Sequence, residues 1–248
     1  MGTQVKIVPQ IDTLAHTAAQ EFHRLSEAAV RERGRFSVAL SGGNTPRAVY
    51  SLLASEHRQL PWDRIHLFFG DERHVPPDHP DSNFRMASES LLSKVPIPEK
   101  NVHRIRTELE ADTAANEYEQ ELREFFHLIN HDWPRFDLIF LGLGEDGHTA
   151  SLFPGSKALT EMSRSVVANW VERFKTFRLT LTFPVLNHAS EAVFMVSGAG
   201  KAQILSEVLR PGARKYPAQN VQPENGQLLW LVDQDAGSML RLATPPTS

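Results

Sequence analysis

Residues 136–155 read FDLIFLGLGEDGHTASLFPG, and the first six of them, FDLIFL, are almost entirely apolar. Nearly continuous apolar strands are expected where helices cover both faces of a parallel sheet. Other apolar runs of strand length alternate along the chain with helical patterns, which predicts a doubly wound α/β fold with a mostly parallel sheet and helices on both faces. Besides residues 136–141, we predict strands at residues 5–8, 36–40, 65–69, 165–170, 177–182, 192–196 and 228–232.

The helices are predicted from apolar residues spaced three and four apart. The first helix has Asp12 or Thr13 as its N-cap and ends at Gly34, since glycine commonly follows the last helical residue. A long helix at residues 111–130 has Ile129 on its buried side. Its solvated face carries four glutamates, Glu117, Glu119, Glu121 and Glu124. Shorter helices are predicted at residues 46–54, 82–92 and 200–209.

The chain of 248 residues shows no internal repeat, low-complexity tract or linker. We therefore predict one domain over residues 1–248, with room for a small subdomain inserted in it or appended to it. A proline-rich tail at residues 244–248 is expected to be frayed.

Composition excludes several functional classes. The 26 basic and 30 acidic side chains give a net charge of −4, which argues against nucleic acid as a partner. The absence of cysteine excludes disulfides, a thiolate zinc site and thiol catalysis. No apolar run approaches the ~18 residues needed to cross a membrane, and residues 1–10 lack the pattern of a signal peptide. We therefore expect a soluble, cytoplasmic protein.

A glycine-containing turn follows the predicted strand 36–40 and reads SGGNTP. Its glycines let the backbone turn with its amides outward, just before the N-terminus of a helix. Such an arrangement suits a phosphate or a developing oxyanion. The residues of this predicted anion site are Ser41, Gly42, Gly43, Asn44 and Thr45. The structural alternative is a tight turn with hydroxyl caps.

A charged segment, GDERHVPP at residues 70–77, follows the predicted strand 65–69. Charged side chains at the end of a buried strand are costly to bury unless they are paired. Polar groups at this edge of an α/β sheet often position a substrate, which makes Asp71 and Arg73 candidate site residues. An ordinary surface loop is the alternative.

The turn at residues 142–147 follows the strand 136–141 and matches GxGxxG, the dinucleotide-binding pattern. We reject a dinucleotide site, because Pro154 interrupts the helix that should follow and no acidic residue ends a strand about 20 residues on. The turn instead presents Asp146 and His148. A neutral imidazole can take a proton from water near pH 7, and a neighbouring carboxylate can orient it.

Two cations lie near predicted sheet edges, Arg178 in RLTLTFP and Lys201 in SGAGKA. Each is either surface charge or a phosphate contact, Arg178 through a bidentate fork and Lys201 as a point charge. The remaining histidines show no metal-ligand spacing, and we predict no metal site. They are His16, His23, His57, His66, His79, His103, His127, His131 and His188.

These motifs occur together in one order along the chain. The quoted stretches are SGGNTP, GDERHVPPDHPDSNFRMA, LGLGEDGHTASLFPGS, RLTLTFPVLN and SGAGKA. They strongly resemble the 6-phosphogluconolactonase family, and the resemblance runs from about residue 5 to residue 242. It implies a Rossmann-like fold similar to that of glucosamine-6-phosphate deaminase and ribose-5-phosphate isomerase. It also implies hydrolysis of 6-phospho-D-glucono-1,5-lactone, a small phosphosugar lactone, without a cofactor.

The resemblance further implies roles for single residues. His148 is the general base that activates water, and Asp146 orients the turn or the imidazole. Arg73 binds an anionic part of the substrate, and Asp71 holds Arg73 or contacts sugar hydroxyls. The amides of Gly42 and Gly43 are candidates for the oxyanion, and Arg178 and Lys201 are candidates for the phosphate.

Two alternatives stay open at this point. A glucosamine-6-phosphate deaminase or isomerase would use Asp71 for proton abstraction, and the HTASLFPG sequence after Gly147 argues against it. A non-catalytic sugar-phosphate-binding protein would keep the glycine turn and the cations but would not need His148.

Overall fold

A computed structural model describes residues 2–240 of the chain. The strands in this range are β1 (Thr3–Val8), β2 (Phe36–Leu40), β3 (Ile65–Phe69), β4 (Asp71–Arg73), β5 (Leu138–Leu141), β6 (Val166–Val171), β7 (Thr176–Leu181), β8 (Glu191–Val196) and β9 (Gln227–Asp233). The helices are α1 (Ile11–Arg33), α2 (Asn44–Glu56), α3 (Asn83–Ser90), α4 (Ala111–Phe125), α5 (Phe183–His188), α6 (Ala202–Val208) and α7 (Gln234–Gly237). The predicted tail at residues 244–248 lies outside the described residues.

Six strands form the main sheet in the order β1-β9-β8-β5-β2-β3, and every neighbouring pair is parallel. The predicted α/β class with a mostly parallel sheet is confirmed. Every residue of β2, β5 and β8 is buried, so both faces of the sheet are covered. This explains why these strands read as nearly continuous apolar runs in the sequence.

A second sheet of three antiparallel strands, β4-β7-β6, packs beside the first. Its strand β4 consists of the charged residues DER. The sequence was compatible with either substrate-positioning residues or a surface loop at this place. Gly70 joins the two sheets, because its N–H donates to the carbonyl of Leu40 in β2 (2.8 Å) and its carbonyl accepts from the N–H of Leu181 in β7 (2.9 Å).

Two buried tyrosines bind the last peptide groups of β2 and β3. The hydroxyl of Tyr50 donates to the carbonyl of Ser41 (2.9 Å) and accepts from its N–H (3.0 Å). The hydroxyl of Tyr118 does the same for Phe69, at 3.1 and 2.8 Å. Burial raises the pKa of both phenols. These bonds satisfy backbone groups where the parallel ladder ends, and they fix where the chain leaves the sheet.

Buried apolar residues of both sheets belong to one cluster, which joins Leu138 and Val193 of the main sheet to Val166 and Leu179 of the second. The single-domain organisation over residues 1–248 stays a prediction, and this shared core is the observation that supports it. Every helix within residues 2–240 is too short or too polar to span a lipid bilayer.

The predicted start of the first helix was wrong. The helix α1 begins at Ile11, and Gln10 is its N-cap without a side-chain hydrogen bond. Asp12 therefore lies in the first turn, where a carboxylate interacts favourably with the helix dipole. The predicted stop at Gly34 is confirmed, and this glycine adopts a left-handed conformation (φ 74°).

The predicted long helix at residues 111–130 was also wrong at its C-terminal end. The helix α4 ends at Phe125, and Ile129, which we expected to be buried, is 70% exposed. Glu119 does not belong to a fully solvated face, since it binds Arg164 (2.5 Å) and the backbone N–H of Ser165. It joins α4 to the beginning of β6, a contact that periodicity along one helix does not predict.

Glu191, the first residue of β8, is a buried carboxyl group that faces Glu21 and Arg24 of α1. Burial, together with the charge and hydrogen bond of Glu21, raises the pKa of Glu191 to about 7. A carboxyl whose pKa is higher in the folded than in the unfolded state stabilises the fold below the unfolded pKa, near 4.3. That stabilisation is lost as the pH rises to about 7.

We therefore expect Glu191→Gln to flatten the decline in the free energy of unfolding between pH 5 and pH 8. The variant should be more stable than the parent by about 1–3 kcal/mol at pH 8, because the amide carries no charge to bury. Urea denaturation at several pH values measures this difference. The exposed Glu32→Gln serves as control, and parallel curves for Glu191→Gln and the parent would contradict the prediction.

Candidate active site

The carboxyl ends of β2, β3 and β5 meet at a cavity of about 240 Å³. Ligands of open α/β sheets commonly bind at this edge. The cavity is lined by Ser41, Gly42, Asp71, Arg73, Asn83, Gly142, Leu143, Gly144, His148, Ala150 and Lys201. The fold thus brings together the three strand ends singled out in the sequence, and Lys201 closes the cavity from the segment after β8.

Five of the predicted site residues lie beside the cavity and are not part of its lining. Gly43 has a left-handed conformation (φ 110°) and precedes Asn44, the first residue of α2. The hydroxyl of Thr45 lies 2.7 Å from that of Ser197, which ties this turn to the end of β8. Asp146 lies behind His148, and Arg178 lies opposite Arg73.

His148 is held by a carboxylate. Its Nδ1 lies 2.5 Å from Oδ1 of Asp146, and its backbone N–H donates to the same oxygen at 3.1 Å. Burial raises the pKa of Asp146, but hydrogen bonding to His148 and the charge of its ring outweigh burial, and the net pKa lies below its ordinary value. Phe153 packs 4.2 Å from the imidazole, between ring centroids. With Nδ1 bound to the carboxylate, Nε2 is the nitrogen available for chemistry.

Two of the three glycines in the turn, Gly144 and Gly147, are required for steric reasons. A Cβ at Gly144 would lie 2.0 Å from Nδ1 of His148, so only glycine leaves space for the imidazole. Gly147 has φ 77°, and a Cβ there would lie 2.6 Å from the ring of Tyr216. The GxGxxG pattern therefore serves to seat His148 against Asp146, which agrees with our rejection of a dinucleotide site.

Asp71 does not form an ion pair with Arg73 within residues 2–240, contrary to one of the two roles expected for it. Its Oδ2 accepts a hydrogen bond from the hydroxyl of Ser151 at 2.7 Å, and both side chains are buried. Ser151 lies three residues after His148. The bond therefore fastens the turn that carries His148 to strand β4.

Asn83 is a cavity residue that the sequence analysis missed. Its side-chain amide donates to the carbonyl of Asp71 at 2.9 Å, and a Cβ at Gly42 would lie 1.9 Å from its Oδ1. The available signal was Ser82, whose hydroxyl caps α3 by accepting from the N–H of Arg85 at 3.1 Å. A capping serine at this position places Asn83 at the helix N-terminus, which points to the site.

Glu72 is a second residue that sequence reasoning missed, and it is only 1% exposed. Burial raises its pKa, although three backbone N–H donors oppose this effect. Those donors belong to Arg73 (2.8 Å), Asn83 (2.7 Å) and Phe84 (2.7 Å). The carboxylate therefore fixes α3 against β4, which explains how a charged residue is accommodated next to the sheet.

Two arginines face each other across the second sheet, since Arg73 and Arg178 are paired in the β4–β7 register. Each has a buried Nε without a hydrogen-bond partner in the described part of the chain. Burial and the neighbouring charge of Arg73 lower the pKa of Arg178, whose guanidinium lies 5.1 Å from the ring centroid of Phe174. Two unpaired guanidinium donors and Lys201 make this side of the cavity suitable for an anion.

Comparison with known proteins shows which family this chain resembles. Residues 9–230 match the family described as glucosamine-6-phosphate isomerases/6-phosphogluconolactonase. A 6-phosphogluconolactonase from Synechocystis sp. is 48% identical over 216 residues, which cover 86% of this chain and 88% of that protein. One from Nostoc sp. is 40% identical over 243 residues, covering 97% and 99%.

Solved structures give the same result. A 6-phosphogluconolactonase from Trypanosoma cruzi superposes with a TM-score of 0.88 at 29% identity, covering 97% of this chain and 98% of that one. A monomeric glucosamine-6-phosphate deaminase superposes with a TM-score of 0.79 at 18% identity, which shows a shared fold. The chain therefore belongs to the family of glucosamine-6-phosphate isomerases and 6-phosphogluconolactonases.

Proposed function

We propose that this protein hydrolyses 6-phospho-D-glucono-1,5-lactone to 6-phospho-D-gluconate, the second step of the oxidative pentose phosphate pathway. The observation that carries the proposal is the Asp146–His148 pair at a cavity that also contains Arg73 and Lys201. The identity of the substrate is inferred from the relatives named 6-phosphogluconolactonase, which are 40–48% identical to this chain. We also propose that the enzyme works in the cytoplasm.

His148 is the general base in this proposal. Asp146 accepts a hydrogen bond from the Nδ1–H group of His148, so the lone pair on Nε2 can take a proton from water. The hydroxide formed attacks the lactone carbonyl carbon, and the resulting imidazolium returns the proton to the ring oxygen as the carbon–oxygen bond breaks. A lactone is an activated ester, so a base that contributes about 10²–10⁴-fold and good positioning are sufficient without a covalent nucleophile.

The tetrahedral intermediate carries a negative oxygen that needs hydrogen-bond donors. Gly42 lines the cavity at the start of α2, and Ser41 contributes a buried hydroxyl that has no partner within the described residues. We assign the oxyanion to the backbone amides of Gly42 and Gly43 and to this hydroxyl. The N-terminus of α2 adds its positive dipole end.

The substrate phosphate binds the basic side of the cavity in this proposal. Arg73 and Arg178 supply their unpaired Nε donors, and Lys201 supplies a point charge. Asp71 lines the cavity in which the sugar binds, and Ser151 and Asn83 hold it in place. In this proposal the phosphate and the reacting carbonyl lie at opposite sides of one small cavity.

We expect His148→Ala to lower kcat by about a hundredfold or more, since it removes the base. Asp146→Asn should lower kcat less, because the base is retained but the imidazole loses the acceptor that fixes its tautomer. Acid release from freshly prepared lactone, corrected for spontaneous hydrolysis, measures both rates. The exposed His131→Ala is the control. Unchanged turnover in His148→Ala would remove this residue from the mechanism.

The same variant tests whether binding and catalysis are separate. Titration calorimetry with 6-phosphogluconate should give His148→Ala an affinity within a few-fold of the parent, because His148 does not hold the phosphate. If binding is lost together with turnover, the histidine has a structural role and the proposed division of the site is wrong.

Arg178→Ala and Lys201→Ala should each raise KM about tenfold or more with a smaller effect on kcat, since each removes a charge-assisted contact to the phosphate. Steady-state kinetics on fresh lactone measure the two constants, with the exposed Arg58→Ala as control. An effect confined to kcat would argue against phosphate binding by these residues.

The deaminase alternative makes a different prediction. It needs Asp71 as a free base, whereas Oδ2 of Asp71 accepts from Ser151 in a buried position. We therefore expect no ammonia release from glucosamine 6-phosphate, measured with a coupled ammonia assay. Ammonia release without acceleration of lactone hydrolysis would overturn the proposed function.

A further inference from the structure

Two histidines that the proposed reaction does not use face each other at the surface between α1 and the C-terminal end of α2. Nδ1 of His23 lies 2.8 Å from Nδ1 of His57, and the two rings are nearly perpendicular, with an interplanar angle of 82°. Both side chains are partly exposed, so the space between them is accessible from solvent. They lie 34 residues apart in the sequence, which is why no local spacing suggested a ligand pair.

A carboxylate lies close to one of the two rings. Oε1 of Glu27 lies 3.2 Å from Nε2 of His23, one helical turn along α1. A proton on Nε2, stabilised by the nearby charge of Glu27, leaves Nδ1 of His23 with a free lone pair on the side of His57. Histidines that bind metals commonly have a carboxylate near their second ring nitrogen.

The nitrogen–nitrogen distance also fits a metal ion. Imidazole nitrogens bind first-row metals at about 2.0 Å, and two such nitrogens at right angles lie about 2.8 Å apart, as in the square arrangement preferred by Cu²⁺ and Ni²⁺. We propose that His23 and His57 form a binding site for a divalent transition-metal ion of this kind. Binding requires the proton on Nδ1 of His57, which lies between the two rings, to move to Nε2 of the same ring. The net charge of the two histidines does not change in this step.

The site has two protein ligands, and water completes the coordination. No group of three or more histidine or carboxylate ligands converges anywhere in residues 2–240, so the affinity is set by the two imidazoles. His16 and Glu56, which pair with each other at 3.5 Å, flank the site and contribute charge near it. Imidazole donors select Cu²⁺, Ni²⁺ or Zn²⁺ over Mg²⁺, which prefers oxygen.

A metal at this site would cross-link α1 to α2 without entering the reaction. The helix α2 has its N-terminus beside the cavity and ends next to His57, and its 13 residues span about 20 Å. The ion would therefore stabilise the fold while leaving the chemistry at His148 unchanged. This inference does not rest on the proposed function, because its test reads binding and thermal stability.

A second histidine pair in the molecule provides a matched control. Nδ1 of His66 lies 3.1 Å from Nε2 of His103, whose Nδ1 binds Glu121 at 2.6 Å. The ring of His103 is stacked on Phe68 in the core, with 4.1 Å between ring centroids, and Arg35 lies nearby. The second pair resembles the first in its nitrogen–nitrogen distance, but its rings are stacked, with an interplanar angle of 27°. This ring arrangement, burial against an aromatic ring and a neighbouring positive charge all oppose a metal ion there.

The test uses the full-length protein after removal of metals with EDTA and dialysis. We expect titration calorimetry with Ni²⁺ to show one saturable site, at least tenfold weaker in His23→Asn and in His57→Asn and unchanged in His66→Asn. Glu27→Gln should weaken binding about tenfold, the effect typical of losing the carboxylate partner of a metal-bound histidine. Saturating Ni²⁺ should raise the Tm of the parent by several degrees but should not raise the Tm of His57→Asn. Mg²⁺ should neither bind nor change the Tm of the parent.

Electron paramagnetic resonance of the Cu²⁺-loaded protein gives a second readout, which does not depend on comparing affinities. The parent should show two coordinated imidazole nitrogens, and each single variant should show one or none. Far-UV circular dichroism and lactone hydrolysis, both expected to match the parent, confirm that the variants are folded. Binding that survives in the double variant His23→Asn/His57→Asn, or that disappears in His66→Asn, would overturn the proposal.

Discussion

The peptide group of Gly70 is the constraint on which the rest of the site depends. It is hydrogen bonded on one side to the parallel sheet and on the other side to the antiparallel sheet. The chain therefore passes from β3 into β4 without a loop, and the charged residues that follow lie across the end of the main sheet. A longer connection would leave Asp71 and Arg73 free to face solvent, whereas this one holds them at the cavity.

Two buried carboxylates are stable in this environment because their oxygens are satisfied, and each fixes a different part of the site. Glu72 accepts from backbone N–H groups at the start of α3, so it holds that helix against β4. Asp71 accepts from Ser151, so it holds the turn that carries His148. Removing a donor from either group would leave a buried charge partly unpaired, which is costly. The position of the catalytic pair is thus coupled to the packing of the second sheet.

The charge of the site differs from that of the whole molecule. The chain has a net charge of −4, yet its cavity is bordered by Arg73, Arg178 and Lys201, and the two arginines lie opposite each other with unpaired donors. Like charges in register destabilise a pair of strands when no anion lies between them. An anionic substrate relieves that repulsion. The local cations therefore attract the substrate, although the net charge of the protein is negative.

Sequence alone determined the elements whose signals are local. The apolar runs of β2, β3 and β5 predicted a parallel sheet, Gly34 predicted the end of α1, and the order of the motifs identified the family. These signals are visible in the sequence because each constraint acts on single positions. Burial on both faces of a sheet requires apolar residues, and a left-handed turn favours glycine. The same reasoning identified Asp146 and His148, since residues on either side of Gly147 in one tight turn cannot be far apart.

Tertiary structure decided what depends on distant parts of the chain. The pairing of Arg73 with Arg178, the bond from Ser151 to Asp71 and the facing rings of His23 and His57 each join residues at least 34 positions apart. It also ended α4 at Phe125 and placed Glu119 against β6, where helical periodicity predicted a longer helix and a solvated face. The physical reason is the same in each case: a hydrogen bond or a charge is satisfied by whatever lies nearest in space, and sequence patterns report only what lies nearest along the chain.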